Sequence, residues 1–256
     1  MRSLARLALT PLLPLFQWRD ARWIRTRRVQ IGEAPTTRLV LVSDVHARND
    51  WFPRTHVAAL VDRINAVDDV DAVLHLGDFV GSDVTAMEWA AEEFARIRHA
   101  MFGVLGNHDH WTKPPVNEQL LEQAGITMLT NRAVPLTDDV WLAGIDSCWG
   151  GNPQPEQALA SIPAGVRTVV LGHEPHLAQL HDCFLHVAGH THHGQVRSPL
   201  FPETVAQRNY VRYSQPYPKG LYRRGDNSWA YTTAGVGYST VSFRFRCPPE
   251  IVVLDI

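Results

Sequence analysis

Apolar residues fall along this chain in short continuous runs separated by stretches of helical spacing. Leu39-Val40-Leu41-Val42, Ala72-Val73-Leu74-His75-Leu76 and Met101-Phe102-Gly103-Val104-Leu105 read as buried strands. Between the first two, Val57, Leu60, Val61 and Ile64 share one face of a helix predicted over 54–66. Between the second and third, Val84, Met87, Ala91, Phe94 and Ile97 do the same over 84–98. A short helix is expected over 117–124, stopped by Gly125. Strand-like runs follow at 140–145, 166–171 and 184–188, with short helices after the Gly/Pro-rich loop 150–155 and after Pro175. Residues 194–227 carry little regular pattern, and strands over 228–234 and 250–255 close the chain. Strands alternate with helices early and follow one another late. That order predicts an α/β protein in layers, not a single doubly wound sheet.

Composition fits one domain: 256 residues, 45% hydrophobic and 20% charged, support one sizeable core. The formal net charge of -2 hides an uneven distribution. Residues 1–31 hold seven arginines and one acid, Asp20, a net of +6, while the rest has 17 basic and 25 acidic residues, a net of -8. The chain therefore divides into a basic, apolar N-terminal arm, 1–31, and a domain, 32–256. In the arm, the apolar stretch from Leu7 to Phe16 is broken by Pro11 and Pro14, lacks a small-residue cleavage site and is too short to span a bilayer. Leucines, Phe16, Trp18 and Trp23 among arginines suit peripheral contact with an anionic membrane surface. Packing of the arm on its own domain is the alternative. Cys148, Cys183 and Cys247 are few, scattered and odd in number, which points to a reducing compartment: the cytoplasm, or the inner membrane face. The acidic domain offers no broad basic surface, so specific nucleic-acid binding is not expected.

The chemistry sits at the strand ends. Ser43-Asp44-Val45-His46 follows the first strand, Gly77-Asp78 the second, and Gly106-Asn107-His108-Asp109 the third. Gly172-His173 and Gly189-His190-Thr191-His192 follow two later ones. Sites in open α/β sheets form beyond the carboxyl ends of strands. In an extended segment His190 and His192 point the same way, into one pocket. The set holds two Asp, one Asn and several His, a mixed oxygen and nitrogen donor set. It suits Mn, Fe, Zn or Co better than Ca. There are too many donors for one tetrahedral ion and enough for two, roughly 3.5–4 Å apart, with Asp78 as the natural bridge. Two divalent ions, two Asp and one hydroxide leave an excess of about +1, which attracts a phosphate.

These five motifs resemble the signature of the calcineurin-like metallophosphoesterase superfamily, D-x-H, G-D, G-N-H-[DE], G-H and G-H-x-H, met in order over residues 44–192. Gly194-Gln195, Gly235-Val236-Gly237 and Pro248-Pro249-Glu250-Ile251 extend the likeness to the bacterial YaeI/YkuE-type phosphodiesterase group. That group usually has a second glycine where this chain has His193. The resemblance implies a four-layer α/β/β/α sandwich of two mixed β-sheets flanked by helices. It also implies that Asp44, His46, Asp78 and His192 hold one metal and Asp78, Asn107, His173 and His190 the other. A metal-bridging hydroxide would attack phosphorus in line. His108 would contact a phosphate oxygen and protonate the leaving group, with Asp109 fixing its orientation.

The expected function is a dimetal phosphohydrolase cleaving a phosphodiester or pyrophosphate bond. One alternative is a UDP-diacylglucosamine-type lipid pyrophosphatase at the membrane surface; a metal-binding scaffold without turnover is another. A phosphoprotein phosphatase should show Asp-Arg-Gly after its Gly-Asp motif, whereas Gly77-Asp78-Phe79-Val80 runs into Gly81-Ser82-Asp83. The segment 208–224 interleaves arginines with tyrosines and follows the last motif closely. His193, Arg208, Arg212 and Tyr213 are therefore candidate substrate contacts.

Overall fold

The computed structural model describes residues 23–50, 52–81, 85–196, 216–239 and 241–256. Strands β1 (Arg25–Gln30), β2 (Arg38–Val42), β3 (Ala72–Leu76), β4 (Met101–Val104) and β5 (Ile126–Met128) belong to a first sheet. Helices α1 (Arg54–Asn65), α2 (Thr85–Phe94), α3 (Asn107–Trp111) and α4 (Pro114–Gln123) are interspersed among them. A second sheet takes β6 (Arg132–Pro135), β7 (Val140–Gly144), β8 (Arg167–Leu171), β9 (Leu185–Ala188), β10 (Gly220–Gly225) and β11 (Ser228–Thr232), with helix α5 (Pro155–Leu159) after β7. The last strand, β12 (Glu250–Asp255), returns to the first sheet. The orders are β1-β12-β2-β3-β4-β5 and β10-β11-β9-β8-β7-β6. Both sheets are mixed: β2 to β5 run parallel and β12 antiparallel to β2, while β7, β8, β9 and β11 run parallel, flanked by antiparallel β6 and β10.

Period-2 alternation sorts the buried strand residues into layers. Leu39, Leu41, Leu74 and Leu76 face Leu142, Val169, Leu171, Leu185 and Val187 across the space between the sheets. Val40, Val42 and Val73 point the other way, onto Val57, Leu60, Val61, Met87 and Phe94 of α1 and α2. On the outer face of the second sheet Val170 packs with Ala158 and Leu177. Because β2, β3 and β4 are parallel in one sheet and β8 and β9 in the other, their carboxyl ends meet at one edge of the sandwich. The expected two-sheet, helix-flanked architecture is the one observed. His75, on the helix side of β3, stacks on Phe79 with ring centroids 3.5 Å apart and is a core residue.

The segment expected to be an arm contributes to the sheet. Arg25–Gln30 is an edge strand, paired in parallel with β12 from Arg25↔Glu250 to Gln30↔Asp255. Its sequence, Arg-Thr-Arg-Arg-Val-Gln, hides this because an edge strand exposed on both faces lacks apolar alternation. Its anchors lie outside the run: Ile24 and Ile31 are buried. Residues 1–22 lie outside the described residues. Since β12 is antiparallel to β2, the amino-terminal ends of β12 and β1 lie at the edge where β2 delivers Asp44. Strand β1 therefore begins beside the candidate site. A chain beginning at Gly32 should lose roughly 3–6 kcal/mol from the two buried isoleucines alone, at about 1.5–3 kcal/mol each. A chain beginning at Trp23 should not. Equal urea midpoints for the two would show that β1 adds nothing to stability.

Candidate metal centre

The loops after β2 and β3 remain zipped beyond the strands: Asp44 N donates to Gly77 O (3.0 Å), His46 N to Asp78 O (3.0 Å) and Ala47 N to Phe79 O (2.9 Å). Five of the seven candidate ligands, Asp44, His46, Asp78, His190 and His192, have φ between 46° and 65°. L-residues visit that left-handed region at a cost of about 1–3 kcal/mol each, and clusters of such residues mark functional sites. Here the strained turns aim five side chains into one cavity wall. All seven candidate ligands are buried.

The donors converge in two groups. In the first, His46 Nε2 lies 3.0 Å from His192 Nε2, and His192 Nε2 lies 3.3 Å from Asp44 Oδ1. In the second, His173 Nε2 is 3.1 Å from Asn107 Oδ1, and His190 Nδ1 is 3.1 Å from the same oxygen and 3.2 Å from His173 Nε2. One oxygen joins the groups: Asp78 Oδ2 is 3.3 Å from His46 Nε2 and 3.3 Å from His173 Nε2. Ring nitrogens facing ring nitrogens at hydrogen-bond distance are the arrangement of lone pairs aimed at a common cation. The residues present therefore fit a pair of metal ions. Asp44, His46 and His192, and likewise Asp44, Asp78 and His173, place donor atoms within 4.8 Å of one another.

Supporting contacts fix the rings. His173 Nδ1 donates to Leu76 O (2.7 Å), which leaves Nε2 for the cavity. His190 N donates to the Asp44 carboxylate at 3.0 Å. Gln195 explains its place after Gly194: its side-chain amide donates to Ser239 O, Val241 O and Phe243 O and accepts from Ser239 N, binding the ligand loop to the chain beyond.

The motif glycines serve space as well as turning. A Cβ on Gly189 would sit 1.9 Å from Ser43 Oγ and 2.5 Å from Asp44 Oδ2, and one on Gly106 would sit 2.2 Å from Asp78 Oδ1. Gly106→Ala should displace the shared carboxylate and weaken metal retention roughly 10–100-fold, the usual cost of disturbing groups that orient ligands. Metal content after dialysis measures this, and wild-type content in the variant would refute the spacing argument.

Burial, the largest influence on each group, raises the Asp44 carboxyl to about 7 and lowers the His46 imidazole to about 3. It also holds His190 and His192 well below the usual histidine range, so these rings are neutral, the form that ligates metal. Burial also works to raise Asp78, but His173, His46 and His108 outweigh it and hold that carboxyl well below the carboxylate range. Burial opposes the charge on His173, yet Asp78 and Asp44 lift its imidazole well above the ordinary value. Asp78 is thus held ionised while His46, His190 and His192 are held neutral, the donor forms that a cation needs.

His108 is half-buried at the mouth, its ring edge-on to His46 with centroids 4.6 Å apart. Its backbone N donates to Asp78 Oδ1 at 2.9 Å. Asp109 does not take the orienting position expected of it. Its carboxylate accepts from the amides of Gly106 (2.9 Å), Val80 (3.1 Å) and Phe79 (3.3 Å), so it is directed at the backbone and ties the β3 and β4 loops together. An Asp at the third position of α3 turns naturally onto the amides of its own first turn. His193 faces away from the ligand groups, with Nε2 2.8 Å from Thr232 O. Arg208, Arg212 and Tyr213 lie outside the described residues. Farther along the same segment, Arg224 is turned onto His181 O (2.8 Å) and Cys183 Sγ (3.4 Å), at the back of the second sheet.

Several further residues frame the site. Trp149 sets its ring edge-on to His190, centroids 4.7 Å apart, and Trp111, 59% exposed, lies 4.8 Å from His108. His110 reaches Asp146 at 2.7 Å and anchors α3 to the second sheet. Arg244 is fully buried, donates to Gly237 O (2.8 Å) and lies 3.2 Å from His192 Nδ1. Among these, His110 adjoins the Gly106-Asn107-His108-Asp109 motif, and Glu174, buried beside His173 and bonded by Ser147 Oγ, adjoins the Gly172-His173 motif.

Residues 37–194 match the family model for calcineurin-like phosphoesterases. A zebrafish (Danio rerio) transmembrane protein with a metallophosphoesterase domain is 31% identical over 235 residues, covering 84% of this chain and 52% of that protein. The uncharacterized metallophosphoesterase YkuE of Bacillus subtilis is 28% identical, covering 86% of this chain and 78% of its own length. The phosphodiesterase YaeI of Escherichia coli is 33% identical over 164 residues, covering 60% of this chain and 57% of its own. The chain thus spans about half the length of the zebrafish relative. Among the described residues, no helix is long and apolar enough to cross a membrane. With the matched region enclosing all five strand-end motifs, the chain belongs to the calcineurin-like phosphoesterase family.

Proposed function

We propose that this chain is a dimetal phosphohydrolase that cleaves a phosphodiester or pyrophosphate bond. The observation that carries the reading is Asp78 Oδ2, 3.3 Å from a histidine of each donor group. Asp44, His46, Asp78 and His192 would hold one ion, and Asp78, Asn107, His173 and His190 the other. When bound, the two cations supply a water acidic enough to attack at neutral pH and offset the charge that builds on the phosphoryl oxygens.

The chain's own residues do the rest. Asp78 keeps the two donor groups at one spacing while its other oxygen holds the backbone of His108. His108, half-buried at the mouth beside His46, contacts a phosphoryl oxygen and gives its proton to the departing oxygen. Asp109 acts on His108 only through the loops it ties. Mn, Fe, Zn and Co all suit this donor set.

The relative named as a phosphodiesterase, YaeI, supports the diester reading. A lipid pyrophosphate at a membrane surface is the second reading, favoured by the start of β1, which follows the apolar and basic residues 1–22 in sequence, at the site's own edge. A scaffold that binds metal without turnover would have no use for His108 at the mouth. A substrate panel against the metal-reconstituted chain decides among them: aryl phosphodiester, phosphomonoester, cyclic nucleotide, lipid pyrophosphate and a DNA strand. Diester or pyrophosphate turnover well above monoester turnover is expected. Monoester turnover alone would overturn the reading, and turnover of none of them would favour the scaffold.

A further inference from the structure

A pocket of about 400 Å³ lies on the far side of the ligand loop from the candidate metals. Arg25 and Arg27, two apart on β1, line it together with His193, Arg246 and Glu250. Three guanidiniums against one carboxylate give a local net of +2 on a domain whose residues 32–256 total -8. The carboxylate is already engaged: Glu250 Oε1 accepts from Ala234 N (3.1 Å) and Oε2 lies 3.5 Å from Arg27 Nε.

The walls are rigid. Arg246 sits at φ 53°, and Cys247 next to it donates Sγ to His192 O at 3.2 Å. Glu250 N donates to Gly235 O (3.2 Å), and Gly235 is packed so closely on Asp44 that a Cβ there would lie 2.6 Å from Asp44 Cβ. Trp23, 56% exposed, stands at the rim with the Arg25 guanidinium 5.4 Å from its ring centre. Residues 1–22, apolar and basic in sequence, precede it directly.

We propose that this pocket binds a phosphate group, presented by an anionic phospholipid headgroup, and so holds the edge of the sandwich that carries the site against a lipid surface. Converging guanidiniums fit phosphate oxygens in pairs, and an exposed tryptophan beside arginine is the pairing found where protein meets the headgroup region. Binding here requires no turnover, so this inference and the proposed hydrolysis fail separately.

The test is co-sedimentation of the full metal-loaded chain with phosphatidylcholine vesicles, with and without phosphatidylglycerol. Arg25→Ala with Arg246→Ala should weaken partition onto the anionic vesicles roughly 25-fold, at about fivefold per arginine. Arg28→Ala with Arg63→Ala removes the same charge from the opposite face of β1, where both line a separate pocket, and should cost much less. Arg25→Lys with Arg246→Lys, which keeps the charge, should fall between wild type and the alanine pair, and equal urea midpoints establish that each variant is folded. Displacement of the wild-type chain by inorganic phosphate would mean that the pocket takes the phosphate group alone. Persistence of binding in phosphate would mean that it needs the lipid surface, and either result supports the site. No loss in the Arg25/Arg246 pair, or the same loss in the Arg28/Arg63 pair, would overturn it.

Discussion

Asp78→Asn is expected to remove metal and turnover together. The wild-type carboxylate presents Oδ1 to the His108 amide and Oδ2 to His46 and His173. In the variant the amide oxygen keeps the bond to His108 N, so the NH₂ group turns toward His46 and His173. The neutral His46 ring can accept from it, but His173, favoured in its charged form beside the wild-type carboxylate, loses that partner. A cation approaching the same point meets two N–H donors and one negative charge fewer. Retention should fall by more than roughly 100-fold, beyond the 10–100-fold that outer-sphere changes cost. The metal-free variant also loses the Asp78–His173 charge pair, so its urea midpoint at neutral pH should fall below that of the metal-free wild type. Full metal content in the variant would show that Asp78 does not join the two groups.

His108→Ala should separate what Asp78→Asn removes together. Its ring lies close enough to His46 and Asp78 to share a donor cluster with them, but each ion keeps its four assigned ligands without it, so metal content should match wild type. Turnover should fall by roughly 10²–10⁴, the range for losing a general acid. The loss should depend on the leaving group. A nitrophenolate departs without a proton, so the deficit on an aryl diester should be the smaller one. An alkoxide needs the proton, so an alkyl diester should suffer more. An equal deficit on both would make His108 a group that only positions phosphate, and unchanged turnover would remove it from the chemistry.

The parts of this architecture that were legible in sequence are those where burial is two-sided or chemistry is local. The runs at β2, β3, β8 and β9 are continuous because both faces pack. Each is followed at once by a Ser or Gly, Ser43, Gly77, Gly172 or Gly189, that opens the turn to a site residue. The short or exposed strands were not legible. β5 has three residues, β6 buries none of its four, β1 is exposed at all but one position, and β10 alternates between exposed and half-buried positions on a sheet edge. Their pairing is set by neighbours far along the chain, as with Arg25 and Glu250.

The candidate site divides in the same way. The seven candidate ligands could be read because each sits at a strand end in a motif with its own glycine or neighbouring histidine. The residues that frame them could not. Trp149 reaches His190, and Arg244 reaches His192, across separations that only the sandwich closes. Asp109 was misjudged for a related reason: adjacency to His108 suggested contact, but an amide-rich turn lay closer than the ring. His193, a candidate substrate contact by sequence, bonds Thr232 O and lines a second pocket behind the ligand loop.

The measurement that bears most directly on the central claim is aryl phosphodiester turnover by chelator-stripped chain, titrated with Mn(II) while bound metal is counted. Turnover should be absent in the stripped chain and should reach its plateau at two ions per chain, with Asp78→Asn flat throughout. Full turnover in the stripped chain, or a plateau at one bound ion, would contradict a reaction run by two cations held across Asp78.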